Sequence, residues 1–198
     1  NLRCSWCQNW DISQFSNRND PDRLALTAPE QVVKAAVQSA CKSISYTYTE
    51  PTIFYEYARD VSILASEAGL KNVWVSNGYM SGEMLEEYLP LLDAINVDIK
   101  AFDESVHHKY TGAHLQPILE NCRLLKKAGI WLEITTLLIP GINDSQEQMQ
   151  GLAKFIAEEL GKDTPWHISR YFPQPQFQER PATPPESILK VLKTGEDA

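Results

Sequence analysis

The sequence predicts an α/β fold assembled from parallel βαβ units. Three observations carry this expectation. Short β-branched or aromatic runs recur between turn residues, helical patterns with capping signals separate them, and polar residues gather just beyond the runs. With 198 residues, 43% apolar and 22% charged, the chain suits a single domain over residues 1–198 with one sizeable core. Five strands and about six helices fit either a partial (β/α) barrel or a doubly wound sheet.

Taken in order, the first helix starts near residue 27, where Thr27 and Glu30 form a capping box and Pro29 lies in the first turn. Its apolar face is Val32, Val33, Ala36, Val37 and Ala40. A strand over 43–48 follows. The second helix begins near Pro51, runs through Phe54, Tyr57, Ala58, Val61 and Ala65, and stops at Gly69. The second strand spans 72–76. A third helix starts at Ser81 and buries Met84, Leu85, Tyr88 and Leu92 before a strand over 95–100. The fourth helix carries Ile118, Leu119, Cys122 and Leu125 and ends at Gly129, ahead of a strand over 130–139. The fifth opens on the capping pair Asp144 and Glu147, buries Met149, Leu152, Ile156 and Leu160, and stops at Gly161. A strand over 166–172, an ordered loop over 173–185 and a helix over 184–193 complete the chain.

A net charge of −8 argues against a nucleic-acid surface, since Lys126–Lys127 is the only adjacent basic pair. No apolar run approaches the roughly 18 residues of a membrane span. Four cysteines, Cys4, Cys7, Cys41 and Cys122, are too few for a disulfide framework in a domain of this size, so a reducing, cytoplasmic setting is expected. The chain opens inside a motif and reads as a piece of a longer polypeptide.

Polar residues cluster at the predicted C-terminal strand ends: Thr49 and Glu50, Ser76 and Asn77, Asp98 and Lys100, and His167 with Ser169 and Arg170. In α/β folds active sites form at that edge. Asp98 and Lys100 share a face because strand side chains repeat every two residues. The chain begins Asn1-Leu2-Arg3-Cys4-Ser5-Trp6-Cys7-Gln8-Asn9. A Cys-x-x-Cys pair alone is compatible with half a zinc site, a redox dithiol or part of an iron–sulfur site. No second such pair at zinc spacing accompanies it.

This opening resembles the end of the Cys-x-x-x-Cys-x-x-Cys signature of radical S-adenosylmethionine (SAM) enzymes, with the first cysteine expected just before Asn1. Trp6 fits the aromatic position before the last cysteine. The Cys-Gln-Asn that follows resembles the subgroup related to pyruvate formate-lyase activating enzyme, and within it the radical SAM member of the AmmeMemoRadiSam system. The similarity runs through blocks at 46–54, 76–80, 96–103, 110–112, 134–144 and 167–173. The resemblance implies a partial (β/α)6 TIM-like barrel lacking its first strand in this chain. It also implies a [4Fe-4S] cluster and SAM as cofactors, with Cys4 and Cys7 as cluster ligands and Trp6 beside the cluster.

Other site roles follow from the same resemblance. Tyr48-Thr49-Glu50-Pro51 stands where the family has Gly-Gly-Glu-Pro, so Glu50 is expected at the SAM amino group while Tyr48 and Thr49 replace the glycines. Ser76-Asn77-Gly78 resembles a Thr-Asn-Gly turn near the SAM carboxylate and ribose, with Val75 where an Asp precedes it. Asp98-Ile99-Lys100 matches an Asp-Leu-Lys element suited to ribose and carboxylate contacts. Ile139-Pro140-Gly141 with Asn143 and Asp144 matches a strand-to-helix turn, and His167 matches a histidine near adenine.

The implied reaction is an oxidoreductase step. The cluster cleaves SAM reductively to methionine and a 5'-deoxyadenosyl radical, which abstracts hydrogen from a protein glycine or a small molecule. The electron would come from a reductant such as flavodoxin or ferredoxin. Two alternatives remain open here: a SAM-independent barrel enzyme using Asp98 and Lys100 as an acid–base pair, and a degenerate, non-catalytic barrel acting as a partner-binding scaffold.

Overall fold

A computed structural model describes residues 1–13, 27–174 and 176–198. Five strands form one sheet: β1 (Ser43–Tyr46), β2 (Lys71–Ser76), β3 (Ala94–Asp98), β4 (Trp131–Leu138) and β5 (Trp166–Arg170). They pair in parallel and in chain order, β1-β2-β3-β4-β5. That order separates the two architectures left open by the sequence. A doubly wound sheet reverses direction at a switch point. A sheet that always advances, with crossovers of one hand, sends every helix to the same side. The opposite face then becomes the concave wall of a partial barrel.

Burial alternates accordingly. Trp74, Ile95, Val97, Leu132, Ile134 and Leu138 are buried on the helical side, while Val75, Asn96, Asp98, Glu133, Thr135 and Leu137 on the other face stay partly or well exposed. Each large apolar side chain removed from water contributes about 1.5–3 kcal/mol, so the helical side supplies most of the stabilising burial.

The helices are α1 (Trp10–Ser13), α2 (Pro29–Gln38), α3 (Tyr55–Glu67), α4 (Gly82–Tyr88), α5 (Glu104–Thr111), α6 (Gln116–Lys127), α7 (Gln146–Phe155) and α8 (Pro185–Glu196). A 3-10 turn, Pro51–Phe54, leads into α3, and a π-helical turn, Ile156–Leu160, extends α7. Helix α4 gives way to a 3-10 turn at Leu89–Leu91, where Pro90 cannot donate a helical hydrogen bond. No helix among the described residues is long and apolar enough to cross a membrane.

Several boundaries differ from the sequence reading. The α2 cap is Ala28 rather than Thr27, and its amide donates to Gln31 Oε1 at 3.1 Å. The α7 cap is Ser145, whose Oγ accepts from the Gln148 amide at 3.3 Å. Asp144 is unavailable for capping because it accepts from the Gly141 amide at 2.7 Å. Cys41 lies exposed beyond the end of α2, whereas Cys122 is buried in α6, and all four cysteines are free. Helix α5 is absent from the sequence reading. Its signals are at its ends: Asp103 Oδ1 accepts from the Val106 amide at 2.8 Å, and Gly112 closes it at φ 80°.

Behind the sheet, a buried polar network joins α3, α4, β1 and β2. Asn72 Nδ2 reaches the carbonyls of Ser62 and Leu91 and the Ser66 hydroxyl, each at 3.0 Å. Tyr46 donates to Asn72 Oδ1 at 3.1 Å, and Trp74 Nε1 donates to the Tyr88 hydroxyl at 2.8 Å. Satisfied polar networks of this kind fix one packing arrangement out of many.

Candidate functional site

The cysteine turn is carried by α5. The Arg3 amide donates to the Thr111 carbonyl at 3.0 Å and the Ser5 amide to the Tyr110 carbonyl at 3.1 Å. A tight turn follows, with the Cys7 amide donating to the Cys4 carbonyl at 3.2 Å. Between the thiols, Trp6 is buried against Tyr110 and Phe177, with ring centroids 5.4 and 6.0 Å away. Cys4 and Cys7 thereby line a cavity of about 490 Å³ at the C-terminal edge of the sheet, together with Trp6, Tyr48, Glu50, Ser76, Asn77, Asp98 and Lys100. Cys7 also lies 3.2 Å from the Ser13 hydroxyl.

Glu50 caps the Pro51–Phe54 turn and points across to the end of β2. Its carboxylate accepts from Ser76 Oγ at 2.7 Å and from the Asn77 amide at 2.8 Å. Burial pushes the Glu50 carboxyl up from its ordinary value, and these donors partly offset the shift. Asn77 is itself held on both sides. Its Oδ1 accepts from the Tyr79 amide at 2.8 Å, and its Nδ2 donates to Asn1 Oδ1 at 2.8 Å. Asn1 Nδ2 in turn reaches Thr52 Oγ1 at 3.0 Å and the Tyr79 carbonyl at 2.7 Å. Asn1 thus ties the cysteine segment to both turns. Sequence reasoning missed it because a lone Asn carries no pattern.

Asp98 and Lys100 project from the end of β3 on one face and bond to each other. Burial alone would lower the Lys100 pKa, yet it lies above the ordinary value because Asp98 and Cys4 favour the cation. Burial pushes the Cys4 thiol up, and Lys100 pulls it part of the way back. The second oxygen of Asp98, Oδ1, is buried without a hydrogen-bond partner. Asn143 fixes the segment from behind, donating to the Lys100 carbonyl at 2.8 Å.

The structure brings eight of the nine predicted site residues together: Cys4, Cys7, Trp6, Glu50, Ser76, Asn77, Asp98 and Lys100 all line the cavity. His167 stands apart. It is the second residue of β5, not its C-terminal end, and is separated from Asp98 by Thr135 in the register. Its Nε2 lies 2.9 Å from Glu133 Oε2, on the concave face outside the cavity lining. Tyr48 replaces a glycine in sequence but not in conformation, for its φ is 71°.

Among the described residues no three His, Cys, Asp or Glu side chains converge as one metal site. The cavity offers two thiols from one turn, a half-buried lysine that would stabilise anionic sulfur, and a buried acidic oxygen awaiting a donor. That donor set fits part of an iron–sulfur site with a polar, hydroxyl-bearing ligand beside it.

Residues 1–155 match the family description "Radical SAM superfamily". The chain is 44% identical over 188 residues to the uncharacterized protein MJ0808 of Methanocaldococcus jannaschii, covering 95% of this chain and 55% of that one. It is 25% identical over 160 residues to the pyruvate formate-lyase-activating enzyme of Clostridium pasteurianum, covering 78% and 65% respectively. The chain therefore spans less than two thirds of the length of either relative. Streptococcus suis SuiB, solved bound to S-adenosylmethionine, superposes with a TM-score of 0.76 at 14% identity, over 100% of this chain and 44% of SuiB. That likeness establishes a shared fold.

Proposed function

The chain belongs to the radical SAM superfamily, and we propose from that membership that its cavity binds SAM next to an iron–sulfur cluster ligated in part by Cys4 and Cys7. Members of this superfamily use a [4Fe-4S] cluster with SAM. When bound, that pair supplies one-electron cleavage of the sulfonium and a radical able to abstract hydrogen. The chain's own residues bind, orient and shield. Glu50, held by Ser76 and the Asn77 amide, presents a carboxylate suited to the SAM ammonium. Lys100 offers a cation to the carboxylate of SAM, and the unpartnered Asp98 Oδ1 accepts from a ribose hydroxyl. Trp6 packs the floor and keeps water from the thiol turn.

The observation carrying this proposal is the convergence of the Cys4–Cys7 turn with Glu50, Asp98 and Lys100 on one cavity. The substrate class is the finer part of the proposal. Likeness to an activating enzyme of pyruvate formate-lyase favours a glycyl-radical-type reaction on a protein glycine, with a small flavodoxin or ferredoxin as reductant. The test is anaerobic reconstitution of the full-length protein, followed by electron paramagnetic resonance of the reduced cluster. A [4Fe-4S] signal that shifts on SAM addition, and is lost in Cys4→Ala and Cys7→Ala, is expected. A signal indifferent to SAM would remove SAM from the cavity.

A further inference from the structure

The turn after β1 is shaped for glycine and carries a tyrosine. Tyr48 holds φ at 71°, where a Cβ crowds the following carbonyl and glycine enters freely. Neighbours hold it there. Asn9 Nδ2 donates to the Tyr48 carbonyl at 2.9 Å, and Glu50, two residues on, is bound to Ser76 and the Asn77 amide. The side chain adds little to the core. At 75% exposure it is the most open large apolar side chain among the described residues. It stands at the cavity, beside Glu50 from the same turn.

We propose that Tyr48 is a ligand-contacting, specificity-determining residue whose ring face covers the sulfonium end of bound SAM; this rests on the reading that the cavity takes SAM. A sparsely populated backbone conformation persists where the surroundings over-determine it, and such residues concentrate at ligand clamps. The ring is the part of Tyr48 that glycine would not supply. An aromatic face carries negative charge density and attracts a ligand cation within about 6 Å of its centroid. Glu50, from the same turn, adds a carboxylate to the cavity lining. Glu50 serves the ammonium that both ligands carry, so the ring alone selects a sulfonium over a neutral thioether of the same shape. S-adenosylhomocysteine is that neutral counterpart, since its thioether lacks the sulfonium charge.

The test compares full-length, anaerobically reconstituted wild type with Tyr48→Phe, Tyr48→Leu and Tyr48→Gly. Equilibrium dialysis measures Kd for SAM and for S-adenosylhomocysteine, and thermal unfolding gives Tm. Tyr48→Phe should keep both affinities within about twofold, while Tyr48→Leu and Tyr48→Gly weaken SAM by roughly tenfold and the thioether by less than about threefold. Tyr48→Gly should also raise Tm, because glycine relieves the backbone. Higher Tm with weaker SAM binding is a pairing that a merely structural tyrosine would not give. Wild-type SAM affinity in Tyr48→Leu, or equal losses for both ligands, would overturn the proposal. Failure of wild type to bind SAM at all would instead overturn the reading of the cavity, and the role of Tyr48 with it.

Discussion

Replacing Asn143 with alanine probes how the fold holds the site. Asn143 is fully buried between the end of β4 and the segment after β3. Its Nδ2 donates to the Lys100 and Leu137 carbonyls, each at 2.8 Å, and its Oδ1 accepts from the Ile139 amide at 2.7 Å. Asn143→Ala leaves three buried backbone groups without partners. Each buried bond contributes about 1 kcal/mol net, and each orphaned group costs about 1–3 kcal/mol. The expected loss is about 3 kcal/mol, less where water enters the vacated space. The Lys100 carbonyl is also released, so the Asp98–Lys100 pair should lose its fixed position and SAM affinity should fall.

A control separates the two effects. Leu152→Ala empties a fully buried position in α7 and costs about 2–5 kcal/mol through lost burial and cavity formation. Urea unfolding followed by circular dichroism gives the stability of both variants, and equilibrium dialysis gives SAM binding. Comparable destabilisation, with binding weakened in Asn143→Ala alone, is expected. A loss below about 1 kcal/mol in Asn143→Ala, or equal SAM affinities in the two variants, would refute the reasoning.

Two other outcomes follow from the structure. Helix α2 ends in a Schellman-type motif, with Ala40 donating to the Val37 carbonyl and Cys41 to the Ala36 carbonyl, both at 3.0 Å, while Ala40 sits at φ 53°. Glycine occupies the same position after α3 and α6. Ala40→Gly should stabilise the protein by about 0.5–1 kcal/mol, since relief of a left-handed alanine exceeds the added entropy of the unfolded chain, and an unchanged or lower urea midpoint would contradict this. His107 is buried in α5 with Nδ1 donating to the Ala113 carbonyl at 2.8 Å, and burial lowers its pKa. An imidazole with a folded pKa below its unfolded value gives full stability above about pH 6.5 and loses it as pH falls further. Wild type should therefore weaken as pH falls from about 6.5 towards the depressed folded pKa of His107, with a flatter profile in His107→Gln. The lowered carboxyls of Glu104 and Glu133 act below that window. Equally steep profiles would place the loss elsewhere.

The strands and the long helices are legible in the sequence because each buries an apolar face of its own. Trp74, Ile95, Ile134, Val61, Ile118 and Leu152 mark those faces. Strand ends are less legible. The run at 43–48 reads as continuous strand, yet pairing stops at Tyr46 and Tyr48 turns left-handed. Helix α5 escapes because it buries His107 and Thr111 instead of an apolar stripe. The cost of missing it is functional, since α5 holds the cysteine turn.

At the site, family resemblance finds the residues whose spacing is stereotyped, Cys4, Cys7, Glu50, Asp98 and Lys100. It does not find Asn1, whose amide reaches Thr52 Oγ1 and the Tyr79 carbonyl from a distant part of the chain, and it marks Asn143 only as part of a turn, not as the side chain that holds the Lys100 carbonyl. His167 falls outside that cluster: it is the second residue of β5, with its imidazole 2.9 Å from Glu133 and outside the cavity lining.

The most direct measurement of the central claim is 5'-deoxyadenosine formed from SAM by the full-length, anaerobically reconstituted and reduced protein. Product is expected from wild type, at background level in Cys4→Ala and Cys7→Ala, and reduced in Glu50→Gln. Full cluster loading with no 5'-deoxyadenosine, or product undiminished without the two thiols, would contradict the assignment of this cavity.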